Sequence, residues 1–385
     1  MMRVLQIIPS ISLVYGGPSQ MVRGLSAALA KQGVEVTVLT TDANGDNGQP
    51  ALDVPLNQPI QQEGYTVRYF RCSPFRRYKF SIQLLRWLWQ NAKHYDLAHI
   101  HALFSPISSL SAAVVRSQHT PYILRPLGTL DPADLKKKQQ LKQIYANLLE
   151  RPNIAGAAAL HFTSEEEARI SERFGVTTED IVMPLGVNPP PSVSLTPSDS
   201  PQRPRILFLS RIEPKKGLDI LIPALENVLA AGIEFQFILA GSNPQDPDYE
   251  AKIQQQIQHS PLAEYTTITG FVTGEKKAAL LQTADLFVLP SYYENFGIAV
   301  AEAMVTGVPV VISTGVQIGP AVQQAEAGWV GECEVGEMTN LIQTALLNTT
   351  ERSRRGMNGQ AYALEHYSWE AIATQMIQAY QQVLK

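Results

Sequence analysis

The stretch LFVLPSYYENFGIAVAEAMVTGVPVVI, residues Leu286–Ile312, holds one complete strand–helix–strand unit. Leu286–Leu289 is a short apolar run ended by Pro290. Residues 291–297 are a polar and aromatic loop closed by a glycine. Ile298–Thr306 has helical spacing, and Gly307 and Pro309 bracket the entry to a second apolar run, Pro309–Ile312. Two such strands joined by a helix lie parallel in a sheet buried on both faces. The same alternation extends outward. Arg205–Ser210, Glu234–Ala240 and Thr266–Thr269 read as strands, with helices at Gly217–Ala231 and Tyr249–His259. Earlier in the chain the strands are Val4–Pro9, Glu35–Thr40, Leu97–His101, Tyr122–Arg125 and Ala158–Phe162. Helices are expected at Pro18–Gln32, near Leu135–Glu150 and at Ser164–Phe174. This is an α/β chain with two doubly wound, Rossmann-like sheets.

The pattern breaks at PPPSVSLTPSDSPQRP, residues 189–204, whose six prolines and lack of apolar periodicity read as a linker. The expected organisation is a first domain over 1–188, a linker over 189–204, a second domain over 205–368, and a terminal helix over 369–385. Two such domains leave a crevice at the carboxyl ends of their strands, where ligands bind.

Composition narrows the function. Hydrophobic residues make up 45% and charged residues 17% of 385 residues, enough for two cores. Residues 1–200 carry 19 Lys/Arg against 16 Asp/Glu, and residues 201–385 carry 12 against 19. That balance is not the footprint of a nucleic-acid binder. Cys72 and Cys333 are far apart and no Cys/His cluster exists, so no metal site is expected, and the cysteine usage fits a reducing cytoplasm. Val4–Pro9 is too short for the apolar core of a signal peptide, and no run of about 18 apolar residues could span a membrane.

Four features point to an anionic, sugar-bearing ligand. Gly16-Gly17-Pro18 opens the first helix, where free amides favour phosphate; the competing reading is an ordinary turn. Ser210-Arg211, followed by Lys216-Gly217, puts a guanidinium and an ammonium on one loop, suited to a departing diphosphate. The competing reading is a solvated basic loop in which Lys215 and Lys216 are equivalent. Third, Glu294 stands on the loop before a helix that begins near Gly297, and Glu302 lies just past its first turn. The two acids then face opposite ends of one ligand, Glu302 within reach of a ribose diol, and the helix start cradles phosphate. Fourth, His99 and His101 share one face of a strand, and His101 is nearer the end where ligands bind. It is the candidate catalytic histidine, set against a structural, hydrogen-bonded role.

These motifs resemble the family 4 glycosyltransferases of GT-B architecture. The likeness rests on the early GGP loop, the Ser210–Gly217 loop, and ENFGIAVAEAMVTGVPVV, which matches the family's pattern of two glutamates eight apart at Glu294 and Glu302. The terminal YSWEAIATQMIQAY resembles the family's closing helix, which crosses back onto the first domain. The resemblance implies a retaining transfer from a nucleoside-diphosphate sugar without a metal or other cofactor. Arg211 and Lys216 would steady the leaving diphosphate, Glu294 would contact the donor sugar, and Glu302 the ribose. The amides of Phe296, Gly297 and Ile298 would meet the diphosphate, and Asn295 would belong to the donor site. Phe271-Val272 would lie near the base, and Gly241-Ser242 near the donor pocket. The leaving phosphate would itself take the acceptor's proton. The acceptor would be a saccharide or lipid-linked, in cell-surface polysaccharide biosynthesis.

Two positions depart from the family pattern: Leu127 stands where a histidine is common, and Leu185 where an asparagine is. Arg125 and Asp131, flanking Leu127, become candidate contacts to acceptor or donor sugar. Residues 64–95 carry seven basic residues, among them Arg68, Arg71, Arg76, Arg77, Lys79 and Arg86, and no acid, interleaved with Tyr65, Tyr69, Phe70, Phe75, Tyr78, Trp87 and Trp89. They suggest a patch that docks on an anionic inner leaflet, extended by Lys136, Lys137 and Lys138, against a reading in which the aromatics are core. Rival functions are a sugar-nucleotide epimerase on the same architecture and a non-catalytic nucleotide-sugar binder.

Overall fold

In the computed structural model, which describes residues 1–46, 49–73, 78–131, 135, 139–191, 203–244 and 246–385, the chain divides into two units. The first joins Met1–Gly186 with Trp369–Lys385, and the second is Val187–Ser368. The boundary thus falls before the proline run: Val187 N donates to Tyr367 O at 2.7 Å and stays with the second unit. Residues 192–202, most of the expected linker, lie outside the described residues, as do Phe75, Arg76, Arg77 and Lys136–Lys138.

The first unit is an eight-stranded sheet. Its strands are β1 (Arg3–Ile7), β2 (Glu35–Thr41), β3 (Pro59–Gln62), β4 (Tyr65–Phe70), β5 (Leu97–His101), β6 (Tyr122–Arg125), β7 (Ala159–Phe162) and β8 (Asp180–Val182). They run in the order β3-β4-β2-β1-β5-β6-β7-β8, all parallel except β3 against β4. Strand β3 is edge-placed and alternates exposed with half-buried residues, whereas β5, β6 and β7 are buried throughout, as a sheet covered on both faces demands. The strand order reverses between β1 and β5.

The closing helix, Trp369–Val383, is part of this unit and lies along the helix Gly17–Lys31. The Trp369 ring is why two glycines are needed: a Cβ at Gly24 or Gly186 would come within 2.3 or 2.2 Å of it. The long helix expected at Leu135–Glu150 is instead a series. Gln139–Tyr145 is α, Ala146–Glu150 is a π turn, and Arg151–Gly156 is α again. Pro152 has no N–H to give an unbroken helix, and the register changes beside it. The next helix is shorter than expected, Glu165–Ile170, with Ser164 Oγ accepting from Glu167 N at 3.0 Å.

The second unit is a six-stranded, wholly parallel sheet. It contains β9 (Arg205–Leu209), β10 (Gln236–Ala240), β11 (Thr266–Gly270), β12 (Leu286–Leu289), β13 (Val310–Ser313) and β14 (Gly328–Gly331), in the order β11-β10-β9-β12-β13-β14. Strands β12 and β13 flank the helix Ile298–Val305, the unit the opening stretch encodes. The chain runs outward from β9 through β11, then returns to the other side of β9 as β12. The carboxyl ends of β9 and β12 therefore face a switch in strand order, the position that favours a ligand crevice.

Candidate functional site

In the second unit, the loops leaving β9 and β12 are locked together. Gly217 has φ +70°, and a Cβ there would lie 1.9 Å from Pro290 O. Tyr292 N donates to Lys215 O at 2.9 Å. A second glycine contact joins the loop after β10: Gly241 has φ +140°, and a Cβ would lie 1.8 Å from Ser210 O. Only a residue without Cβ permits these approaches. Gly315 belongs to the same cradle, since a Cβ there would meet Ser291 O at 2.4 Å.

This packing makes the two lysines unequal. Lys216 is 5% exposed and its ammonium pairs with the Glu294 carboxylate. Lys215 points outward, 3.4 Å from Glu213, which also pairs with Arg211 at 3.1 Å. The Arg211 side chain is about half exposed. A buried ammonium persists only where a carboxylate compensates it, so Lys216 and Glu294 form a unit. Glu294 is fixed through its backbone: its N donates to Gly315 O at 2.9 Å and its O accepts from Gln317 N at 3.0 Å. Tyr293 Oη donates to Asn295 Oδ1 at 3.2 Å.

The helix Ile298–Val305 begins at Gly297, held at φ 83°, and no side chain caps it. Phe296 is buried, stacked edge-on against Tyr367. Glu302 is the fifth residue of that helix, and its Oε1 accepts from Lys277 Nζ at 2.5 Å. Ser242 and Val272 follow the ends of β10 and β11, and Phe271 is 70% exposed. Around this site, burial raises the Cys333 thiol to about 11, and the Tyr292 hydroxyl, donating to Asp219 at 2.7 Å, is raised to about 12. Lys277 and Gly315 escaped the sequence reading. Gly274-Glu275-Lys276-Lys277 looks like any charged helix start, and Ser313-Thr314-Gly315 looks like an ordinary loop after a strand.

The remaining candidates lie in the first unit. Gly16, at φ 69°, caps the start of helix Gly17–Lys31. At the β1/β5 reversal lies a cavity of about 290 Å³, lined by Ser10, Tyr15, Tyr78, Lys79, Phe104 and Leu127 among others. Leu127 takes φ 58°, a left-handed conformation costing about 1–2 kcal/mol for a residue with a Cβ, directly before Gly128 at φ 76°. Asp131 is 9% exposed.

His101 departs from the expected catalytic placement. It is fully buried, and its Nε2 is 2.7 Å from Gln6 Oε1. His99 stacks on it at 4.5 Å, lies 2.8 Å from Tyr380 Oη through Nδ1, and lies 3.2 Å from His161 through Nε2. Burial lowers all three imidazoles well below their ordinary range, with the Arg125 guanidinium adding to it. Arg125 is itself 1% exposed, lowered by burial to about 10, and its Nη1 donates to Met21 Sδ at 2.7 Å. His101 and Arg125 thus fill the interior of the unit and do not line its cavity. The closing helix contributes from a position remote in sequence: Tyr380 Oη bonds both His99 and Gln6, the two residues packed on His101.

Two family models match the chain, glycosyl transferases group 1 over residues 197–362 and a glycosyl transferase 4-like domain over residues 16–186. The chain belongs to the family 4 glycosyltransferases. It is 25% identical to a phosphatidyl-myo-inositol mannosyltransferase of Mycobacterium leprae, covering 99% of this chain and 97% of that one. It is also 25% identical to a D-inositol 3-phosphate glycosyltransferase of Xylanimonas cellulosilytica, covering 96% and 92%. Among solved structures, a sucrose-phosphate synthase of Thermosynechococcus elongatus superposes with a TM-score of 0.77 at 23% identity, covering 100% and 99%. Anabaena HepE, solved in complex with UDP-glucose, superposes with 0.75 at 20%, covering 99% and 100%. The fold of this glycosyltransferase is therefore GT-B, as the resemblance implied. No helix among the described residues is long and apolar enough to cross a membrane.

Proposed function

We propose that this glycosyltransferase moves a hexosyl-type sugar from a nucleoside-diphosphate sugar to a hydroxyl of a saccharide or lipid-linked acceptor, with retention of configuration, in cell-surface polysaccharide assembly. The observation that carries the reading is the buried Lys216 paired with the partly buried Glu294 beside an uncapped helix start, where the strand order of the second unit reverses. The diphosphate lies on the first amides of helix Ile298–Val305, where backbone donors and the helix dipole favour negative charge. Lys216 and Arg211 neutralise the oxygens that gain charge as the glycosidic bond breaks, the task a divalent cation performs elsewhere. Lys216 turns from Glu294 to the phosphate, and the freed carboxylate accepts from donor-sugar hydroxyls. A leaving phosphate oxygen takes the acceptor's proton, so no protein base is invoked and the burial of His101 is no obstacle. That HepE is solved with UDP-glucose favours a sugar nucleotide as donor.

The aromatic cavity of the first unit offers the acceptor a place for a sugar ring, with Tyr15, Tyr78 and Phe104 as apolar faces. For the region 64–95, burial of Tyr65, Tyr69 and Phe70 favours the core reading of those aromatics. Arg68 lies over Trp87 at 5.1 Å, and Arg71 and Lys79 pair with Asp42 and Asp46. Peripheral docking of a cytoplasmic enzyme on an anionic leaflet then rests on the exposed Tyr78, Ile82, Arg86 and Trp89.

Incubating the full chain with a panel of labelled sugar nucleotides tests the proposal. The expected result is transfer, or slow hydrolysis, with release of nucleoside diphosphate. Interconversion of the sugar without diphosphate release would establish the epimerase, and binding without turnover a non-catalytic binder; either overturns the proposal.

A further inference from the structure

We propose that Lys277 is a positioning residue for the ribose of the donor nucleotide, acting through Glu302. The inference rests on the donor-site reading above and adds a residue that reading does not contain. Lys277 is the fourth residue of helix Gly274–Thr283, on the crossover between β11 and β12. Its helix is anchored by the buried Ala278 and Leu281. Its ammonium lies 2.5 Å from Glu302 Oε1, and both side chains are largely buried, 23% and 17% exposed. Each acid of the site thus has its own lysine: Lys216 for Glu294 and Lys277 for Glu302.

The two pairs sit differently. Lys216 stands on the loop after β9, beside the helix start where the diphosphate is proposed to lie, and can exchange its carboxylate for phosphate. Lys277 stands on a different helix, and its Glu302 partner is a full turn into helix Ile298–Val305. The Lys277 pair therefore persists when ligand is bound. It holds Oε1 and fixes the orientation of the carboxylate, leaving Oε2 as an acceptor for the two hydroxyls of a ribose. An ionised acceptor gives hydrogen bonds roughly twice as strong as a neutral one. A lysine-held carboxylate thereby converts a general anionic surface into a diol reader, and favours ribonucleotides over 2′-deoxyribonucleotides.

The test is calorimetric titration of the full chain with ADP, GDP and UDP, and with the 2′-deoxy form of whichever binds. Lys277→Met is expected to weaken the ribonucleotide by about ten-fold, the size of one charge-assisted hydrogen bond. It should weaken the 2′-deoxy form by less than about three-fold on the same scale. Lys277→Arg should retain the preference for ribose, and Lys277→Met should add nothing in a Glu302→Gln background. In turnover, the loss should fall on the donor KM and spare kcat. Equal weakening of both nucleotides, or no weakening, overturns the assignment while leaving the donor site intact. A wild-type protein that binds none of the three diphosphates overturns the donor site, and this inference with it.

Discussion

Lys216→Ala is expected to lower kcat by about 10²–10³-fold, the cost of removing one preorganised group from a site of developing charge. The expectation comes from burial. Lys216 is 5% exposed, so little water is present to screen its ammonium from a leaving diphosphate. The exposed Arg211 is screened more and should matter less. Deleting Lys216 also leaves Glu294 without its cation, and an uncompensated charge in a partly buried pair costs stability as well as rate. The double variant Lys216→Met, Glu294→Gln removes both charges with little change of shape. It should recover the thermal midpoint lost by Lys216→Ala while remaining as inactive. Steady-state kinetics and thermal scans on the three proteins separate the effects. Turnover of Lys216→Ala within three-fold of wild type would show that the pair is structural only.

The first unit should lose stability steeply as pH falls below about 6.5. His99, His101 and His161 are neutral inside it, with folded pKa values depressed well below 6.5, whereas each takes up a proton near 6.5 once unfolded. Their stabilising contribution is therefore fully present above 6.5. It is lost progressively as pH falls from there towards the folded values, at up to about 1.4 kcal/mol per histidine per pH unit. Glu150 acts in the opposite sense: burial raises its folded pKa, so its contribution is greatest at low pH and is lost as pH rises through that value. One carboxyl opposes three imidazoles, and the histidines prevail between 6.5 and 5.5. In a Trp329→Phe protein the remaining tryptophans, Trp87, Trp89 and Trp369, all report on the first unit. Urea midpoints followed by their fluorescence should drop clearly between pH 7.5 and 5.5. An unchanged midpoint would mean that the imidazoles protonate in place and that the buried network tolerates charge.

The second unit was easier to read from sequence than the first, for physical reasons. Strands β9, β10, β12 and β13 are buried on both faces and appear as unbroken apolar runs between Gly, Pro and Ser. Strand β14, Gly328–Gly331, carries two glycines and offers no such run. In the first unit, Tyr65–Phe70 looks like an amphipathic surface because arginine interrupts aromatics. Yet β4 buries Tyr65, Val67, Tyr69 and Phe70 and lets Arg68 lie over Trp87. Within the site, the loop Ser210–Gly217 and the helix start at Gly297 were legible because glycine and proline mark them. The inequality of Lys215 and Lys216 was not, since it follows from the approach of Gly217 to Pro290 O across the sheet. Lys277 was hidden for the same reason: its partner comes from another crossover. His101 misled because closeness to a strand's carboxyl end predicts exposure to ligand only while nothing covers it. Gln6 and the His99 ring enclose His101, and Tyr380 from the last helix holds both of them.

Hydrogen–deuterium exchange of the full chain, with and without a saturating nucleoside diphosphate, tests the placement of the donor in the second unit most directly. Slowed exchange is predicted in peptides spanning 210–217 and 294–302, strongest at the amides of Phe296, Gly297 and Ile298. Binding confirmed by calorimetry with no protection in those two segments, or with protection confined to the first unit, would contradict it.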